Sequence, residues 1–225
     1  MQKNSSSADR IREKKKLFLA REQRIISAAV ELFLEESIDR ITVSKIAVRA
    51  SIGKGTVYKH FLTKNEILIR IILDYERNIT KSLTAGIKRA EQGDSGAAAK
   101  SYFQSRLENP RLDRLIQQLE DRLFESGNLV AQVDELHQLR RSNEEALAGL
   151  TSKLIDRGVL EDVPPHFHYL ACWALAQGAV ELCFNKTWNY RTDTDQLMEF
   201  ITNIGVTMGN QGQYHSENPA PKNDK

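Results

Sequence analysis

Cysteines and long apolar runs are scarce in this chain of 225 residues, and each scarcity excludes a class of protein. The two cysteines, Cys172 and Cys183, are eleven residues apart in one predicted helix, about 16 Å along its axis, so they cannot form a disulfide within that helix. We expect buried structural thiols, with a redox sensor or an intersubunit bridge as the alternatives. No apolar stretch is long and uncharged enough to cross a bilayer, and no signal-like run opens the chain. We therefore expect no membrane partner and a cytoplasmic location.

Charge is unevenly distributed along a chain whose net charge is only +2. Residues 1–70 contain 15 Lys and Arg against 8 Asp and Glu, whereas residues 71–225 contain 17 against 22. A basic first third indicates that this end meets a polyanion while the rest has another role. Its basic segment, Arg10–Lys16, is predicted to be an arm or a helical lead-in. This segment is either simply solvated or adds phosphate or minor-groove contacts.

Apolar residues recur at three- and four-residue steps from Arg21 onward, which predicts helices. The first helix is amphipathic, and its buried stripe is predicted to be Ile25, Ile26, Ala29, Val30, Leu32 and Phe33. Further helices are predicted after a break at Pro110, then over Leu129–Arg157 with Gly158 at the C′ position, and again from Pro165. No alternating strand pattern occurs, so the predicted fold is all-α.

Two short helices joined by a tight turn are predicted between Thr42 and Phe61. Thr42 suits the N-cap of the first helix, which ends near Ala50, and the letters SIG supply a turn. The second helix is predicted from about Lys54, and with Val57 facing inward its outer face is small, polar and cationic. This is the helix-turn-helix arrangement, in which the second helix enters the major groove of DNA.

The stretch ITVSKIAVRASIGKGTVYKHFLTKNEIL resembles the DNA-binding signature of the TetR family of bacterial transcriptional regulators. Lys54-Gly55-Thr56 opens the recognition helix, VYKHF matches the family's Tyr-x-Tyr-Phe ending, and Thr63-Lys64 matches the start of the next helix. The similarity covers roughly Arg21–Leu73. It implies a double-stranded operator as partner, a homodimer formed by the last two helices, and a small-molecule effector inside the larger helical domain.

The exposed positions and the resemblance together predict the residues that contact DNA. They are Thr42, Lys45, Lys54, Gly55, Thr56, Tyr58, Lys59, His60 and Lys64. Gly55 allows close approach of the backbone, and Thr56 can read a base edge or a thymine methyl group. The phenol and lysine side chains suit phosphates.

An effector site is expected among aromatic residues of the larger domain. The candidates are Phe103, Phe124, Tyr169, Trp173 and Phe184. No buried charge pattern is evident in the sequence, which favours an apolar ligand.

Two positions depart from the family pattern. Ser51 fills a turn position that is usually glycine, with Gly53 two residues later, which predicts either a slightly different turn or a strained Ser51. His60 replaces the commoner second tyrosine and so changes one phosphate or packing contact.

Motifs that suggest catalysis or metal binding fail on their context. GKGT lacks the spacing and the preceding strand of a phosphate-binding loop, and the Ser51-x-x-Lys54 motif has no companion S-D-N or K-T-G. His166 and His168 have no cysteine or carboxylate cluster nearby, so we expect helix surface or pocket lining. We predict no enzymatic activity, no metal and no cofactor.

The predicted organisation is a flexible basic arm (1–20), a three-helix helix-turn-helix DNA-binding domain (21–66), an effector-binding and dimerisation domain (67–208) and a disordered tail (209–225). The predicted function is sequence-specific transcriptional regulation by a ligand-responsive repressor that binds a palindromic operator as a dimer. The alternative is a DNA-binding interaction protein of the same fold whose larger domain docks a protein partner.

Overall fold

The computed structural model describes residues 7–126, 130–187 and 193–209. Its helices are α1 (Ser7–Glu35), α2 (Val43–Arg49), α3 (Lys54–Val57), α4 (Lys64–Glu91), α5 (Ala97–Leu107), α6 (Pro110–Ser126), α7 (Val130–Asp156), α8 (Pro165–Leu182) and α9 (Thr194–Gly209). The described residues contain no strand, which confirms the all-α prediction. In the same part of the chain, none of the helices has the length and apolar character to cross a membrane. Beyond Gly209, the predicted tail lies outside the described residues.

The chain forms two compact units. The first comprises the chain up to Ile72 together with Leu115–Val130. The second comprises Leu73–Arg114 and the chain from Ala131. Helices α4 and α6 therefore each contribute residues to both units, which the order of motifs along the sequence does not reveal.

The core of the first unit is built on the apolar stripe of α1. The buried members are Ile25, Ile26, Ala29, Leu32 and Phe33, and Val30 is half-buried. Ile46 of α2 and Val57 of α3 are fully buried against this core. The short helices therefore take their orientation from long neighbours, because helices of seven and four residues are not stable alone.

The basic segment Arg10–Lys16 belongs to the first turns of α1. Of the two predicted forms, an arm or a helical lead-in, the structure has the helical one. All of its side chains are exposed, including the apolar Ile11 within it. The segment thus extends the helix beyond the core that holds the rest of α1.

The core of the second unit joins α4, α5, α8 and α9. Phe103 is completely buried at its centre, with Leu83, Val180 and Ile201 around it. Gly205 of α9 lies so close to the Phe103 ring that a β-carbon there would overlap it. Glycine is thus required at this crossing of α5 and α9 because the two helices pack in close contact.

Candidate nucleic-acid interface

Helix α2 begins and ends with local hydrogen bonds. At its start the Thr42 side-chain oxygen accepts a bond from the Lys45 backbone N–H at 3.2 Å, which confirms the predicted N-cap. At its end the Ser51 N–H donates to the Val48 carbonyl, and the next N–H donates to the Ala47 carbonyl, both at 3.0 Å. This pair of bonds is the Schellman motif, with Ser51 at the C′ position.

Ser51 has a left-handed backbone, with φ of 54°, and is the only non-glycine residue with positive φ in the described part of the chain. Gly93 and Gly158 end α4 and α7 with the same pair of hydrogen bonds, at φ of 117° and 68°. A residue with a β-carbon pays about 1–2 kcal/mol for this conformation, and glycine does not. The prediction of a strained Ser51 is confirmed.

Ion pairs join α2 to α1 on the solvent side. Arg49 bonds to Glu35 at 2.6 Å and to Glu31 at 3.2 Å, and its hydrogen bond holds the pKa of Glu35 below its ordinary value. Lys45 pairs with Glu36 at 2.8 Å. Exposed pairs of this kind contribute little stability, so their effect is to orient α2. Lys45 can reach a phosphate only by leaving Glu36.

Helix α3 is shorter than predicted. The helix covers Lys54–Val57, and Tyr58–His60 continue as hydrogen-bonded turns. The last two turn residues donate to carbonyls three residues back, at 3.2 and 2.9 Å, which is the tighter 3₁₀ pattern. Val57 and Phe61 are buried as predicted, so they fix which side of this segment faces outward.

We call Lys54–Phe61, which is α3 together with the turns that follow it, the α3 segment. Its outward side is compact and cationic. Lys54, Gly55, Tyr58 and Lys59 are exposed, and Thr56 is half-buried. The Lys54 ammonium lies 5.8 Å from the centre of the Tyr58 ring, within cation–π range. Two ammonium groups, a phenol and a hydroxyl thus share one face, which suits phosphates around a base edge.

Gly55 has no internal reason to be glycine. A β-carbon added there would meet no atom within 4 Å, and its φ lies outside the left-handed region. Glycine in a helix lowers the free energy of unfolding by about 0.5–1 kcal/mol relative to alanine, and no close packing at Gly55 compensates for this loss. The open space at Gly55 would allow a partner to approach the backbone closely.

His60 is turned into the protein, and the prediction that it contacts DNA is corrected. Its side chain is only 2% exposed, and its ring stacks on Phe18 of α1 with 4.0 Å between ring centres. The Nδ1 atom is 3.8 Å from the Glu22 carboxylate, which is itself ion-paired with Arg70. Phe18 covers the ring, so His60 packs α1 against the end of the α3 segment.

Lys64 is half-buried and bonded within the first unit, so its side chain can reach a phosphate only by leaving these contacts. Its ammonium donates to the Ile38 carbonyl and lies 5.8 Å from the Phe33 ring centre. Burial lowers the pKa of this ammonium. The side chain therefore satisfies the short 3₁₀ turn Ile38–Arg40.

A cavity of about 70 Å³, open to solvent at its mouth, lies in the second unit between α5, α7 and α8. Tyr169 borders it, as predicted for the effector site. The other four predicted aromatics lie elsewhere: Phe103 in the core, Phe124 exposed on α6 in the first unit, Trp173 exposed on α8, and Phe184 beneath the Arg114 guanidinium at 4.4 Å. Which side of a buried helix faces a cavity depends on its neighbours, so only one of the five candidates lines this cavity, and the effector site stays a prediction.

The residues that complete the cavity were not selected from the sequence. Leu147, Leu150 and Leu154 line it at three- and four-residue steps along α7, and that spacing is the one signal that could have identified this wall. His168 lines the cavity too, and its Nε2 is 3.1 Å from the Glu161 carbonyl oxygen. Among the described residues, no three His, Cys, Asp or Glu side chains are grouped so as to hold a metal ion.

A buried ion pair lies near this cavity. Arg106 of α5 bonds to both carboxylate oxygens of Asp113 at 2.8 Å, and Asp113 also accepts from the Tyr75 hydroxyl. Arg106 donates to the Tyr102 hydroxyl at 3.1 Å, and Tyr102 is one of the residues that border the cavity. The pair is satisfied by hydrogen bonds on both sides, as a buried pair requires.

Helices α8 and α9 keep large apolar side chains in solvent. Phe167, Leu170 and Trp173 of α8 and Phe200 and Ile204 of α9 are exposed, Phe200 by 60%. The opposite side of α8 packs in the core. Large apolar side chains exposed together on neighbouring helices are typical of an interaction surface.

Sequence comparison with known proteins matches the first unit to one family. Residues 25–71 match the family described as "Bacterial regulatory proteins, tetR family". The HTH-type transcriptional regulator SrpR of Pseudomonas putida is 34% identical over 70 residues, which is 30% of this chain. The matched segment spans only 33% of SrpR, so this relative covers the N-terminal part alone.

Solved structures extend the similarity in fold along most of the chain. The TetR family regulator PfmR of Thermus thermophilus has a TM-score of 0.65 at 18% identity, covering 82% of this chain and 97% of that one. AibR, solved with isovaleryl coenzyme A and operator DNA, has a TM-score of 0.62 at 11% identity, covering 82% and 97%. At these identities the likeness concerns the fold alone. By sequence, residues 25–71 of this chain are thus a helix-turn-helix domain of the kind found in the TetR family of bacterial regulatory proteins.

Proposed function

We propose that the protein is a ligand-responsive transcriptional repressor that binds a palindromic operator as a homodimer. The observation that carries the proposal is the exposed face of the α3 segment, where Gly55 has open space around it among two lysines. The α3 segment enters the major groove, Thr56 reads base edges, and Lys54, Tyr58 and Lys59 hold phosphates.

The homodimer forms through the exposed apolar sides of α8 and α9. On α8 this side continues past Phe167 and Leu170 to small residues at Ala174 and Gly178, where a second helix can approach closely. The dimer presents two α3 segments about 34–36 Å apart, which matches successive major grooves on one side of the duplex. Trp173→Glu is expected to yield monomers in light scattering, and an unchanged dimer would exclude this face.

The effector binds in the cavity of the second unit and shifts the dimer toward a form with a different spacing of its α3 segments. The size of that shift is limited by the difference in the effector's affinity for the two forms. AibR was solved with both a coenzyme A ester and its operator, which supports an effector site in this fold.

The operator can be obtained by selecting bound duplexes from a random library. Lys59→Ala should then weaken binding to every sequence and reduce the slope of log affinity against log salt by about two, one phosphate per half-site. Thr56→Ala should change the selected base at one position in each half-site. Lys88→Ala removes an exposed lysine from α4 in the second unit and serves as the control.

The combined outcome decides the assignment of the recognition helix. If Lys59→Ala and Thr56→Ala both bind the selected operator as the wild type does, α3 is not the reading element. Many scattered genomic sites without a response to any small molecule would instead favour a protein-docking role for the second unit.

A further inference from the structure

The cavity between α5, α7 and α8 has an apolar wall along most of its surface. Leu150 and Leu154 of α7 face Ala98 of α5 and Cys172 of α8, and Leu160 closes one side. The cavity has a volume of about 70 Å³ and opens to solvent at its mouth, so it encloses a small group rather than a bulky ligand. The part of a ligand that enters the cavity exchanges water for aliphatic side chains, so that part has to be apolar.

Among the residues that the structure describes, no lysine, arginine, aspartate or glutamate borders the cavity. A ligand carboxylate or ammonium would therefore be desolvated without an opposite charge, at a cost of several kcal/mol. The nearby guanidinium of Arg106 is not free to compensate, because it bonds to both oxygens of Asp113 at 2.8 Å. His168, the imidazole in the wall, uses its Nε2 toward the Glu161 carbonyl.

Hydroxyl groups supply the polar part of the lining. Tyr102 and Tyr169 stand edge to face with 6.0 Å between ring centres, and Thr151 lies on the α7 wall. Burial raises the pKa of both phenols, so they stay protonated donors. The Tyr102 oxygen already accepts a bond from Arg106, which leaves its O–H as the group to donate. A neutral donor is matched by a neutral acceptor, such as an alcohol, ketone or ester oxygen.

We propose that this cavity binds an uncharged, mainly apolar small molecule that carries one hydrogen-bond acceptor, and that it discriminates against acids and amines of the same size. This inference rests on the proposed function in one respect, namely that the bound molecule is the effector. Binding itself is a property of the free protein and is measured without DNA.

A matched series with one carbon skeleton tests the class: 1-octanol and 2-octanone against octanoate and octylamine, at neutral pH. Calorimetry and thermal unfolding of the full chain should show binding of the neutral pair and an increase in Tm that grows with ligand concentration. The charged pair should bind at least a hundred-fold more weakly. Equal or tighter binding of octanoate or octylamine, or no binding of either neutral compound, would overturn the proposal.

Two further measurements locate the binding. Ala99→Phe places a ring in the cavity and should weaken octanol binding at least ten-fold, whereas Ala146→Phe, at an exposed position of α7 outside the lining, should leave it unchanged. If Ala99→Phe does not fold, the wild-type protein gives the same answer: octanol should slow alkylation of Cys172, which borders the cavity, but not of Cys183. If octanol binds, but Ala99→Phe does not weaken binding and octanol does not slow alkylation of Cys172, the binding site lies elsewhere.

The two proposals fail separately. If the charged compounds bind as tightly as the neutral ones while the free protein still binds its operator, only the proposed ligand class is overturned. Unchanged operator affinity in the α3 variants, with octanol still bound, overturns the DNA-reading role and leaves the cavity assignment in place.

Discussion

Gly55→Ala is expected to make the protein more stable and a poorer DNA binder at the same time. The added methyl group meets no atom within 4 Å, so it introduces no clash in the free protein. Replacing a helical glycine should raise the free energy of unfolding by up to about 0.5–1 kcal/mol, because the unfolded chain loses conformational freedom.

If the α3 segment enters the major groove as proposed, the same methyl group occupies the space into which DNA would fit. If it removes one base contact per half-site, worth about 1–3 kcal/mol, the dimer loses about twice that amount. Operator affinity should then fall at least about thirty-fold. The α3 segment has no neighbouring side chain at this point that could move aside to restore the fit.

Urea unfolding followed by circular dichroism measures the first effect, and fluorescence anisotropy with labelled operator at fixed salt measures the second. Gly149→Ala is a matched control, since Gly149 is an exposed glycine of α7 that also has no atom within 4 Å of an added β-carbon. It should gain similar stability with unchanged operator affinity. A Gly55→Ala protein that binds operator as tightly as wild type would refute the close-approach argument.

Three further changes test other parts of the molecule. Ser51→Gly should raise the free energy of unfolding by about 0.5–1 kcal/mol, because relief of the left-handed strain exceeds the added freedom of the unfolded chain. Ser51→Ala should not raise it, because alanine keeps a β-carbon. Equal urea midpoints for the two variants would contradict this. Deleting residues 1–16 should flatten the salt dependence of operator binding, and an unchanged slope would show that the basic segment is only solvated. Asp113→Ala should lower the free energy of unfolding by about 3–5 kcal/mol, because it leaves Arg106 buried without a counter-charge. The double change Arg106→Met with Asp113→Leu should recover most of that loss in thermal unfolding. A loss below about 1 kcal/mol for Asp113→Ala would mean that the pair is solvated in solution.

Local signals in the sequence were sufficient for three features of the helix-turn-helix region. The N-cap at Thr42, the strained turn at Ser51 and the inward Val57 each depend on residues within a few positions along the chain. Short-range hydrogen bonds and helical periodicity decide such features, and a single sequence contains both.

The placements that the sequence did not reveal depend on contacts between distant residues. His60 is covered by Phe18, and Lys64 bonds to the Ile38 carbonyl, 26 residues earlier in the chain. Neither partner can be inferred from spacing. The lining of the cavity could not be predicted for the same reason. Three helices from separate parts of the sequence form it, and aromatic character alone does not indicate which side chains face inward.

Gly205 has a consequence for the genetics of this regulator. It does not border the cavity and lies in the second unit, yet any side chain there would overlap the Phe103 ring at the centre of the core. A screen for constitutive expression of a repressed gene should therefore recover substitutions at codon 205 alongside those in α3. The two classes should separate on an immunoblot, because the codon 205 alleles lower the amount of folded protein in the cell, while under the proposed function α3 alleles leave a normal amount of protein that no longer recognises its operator.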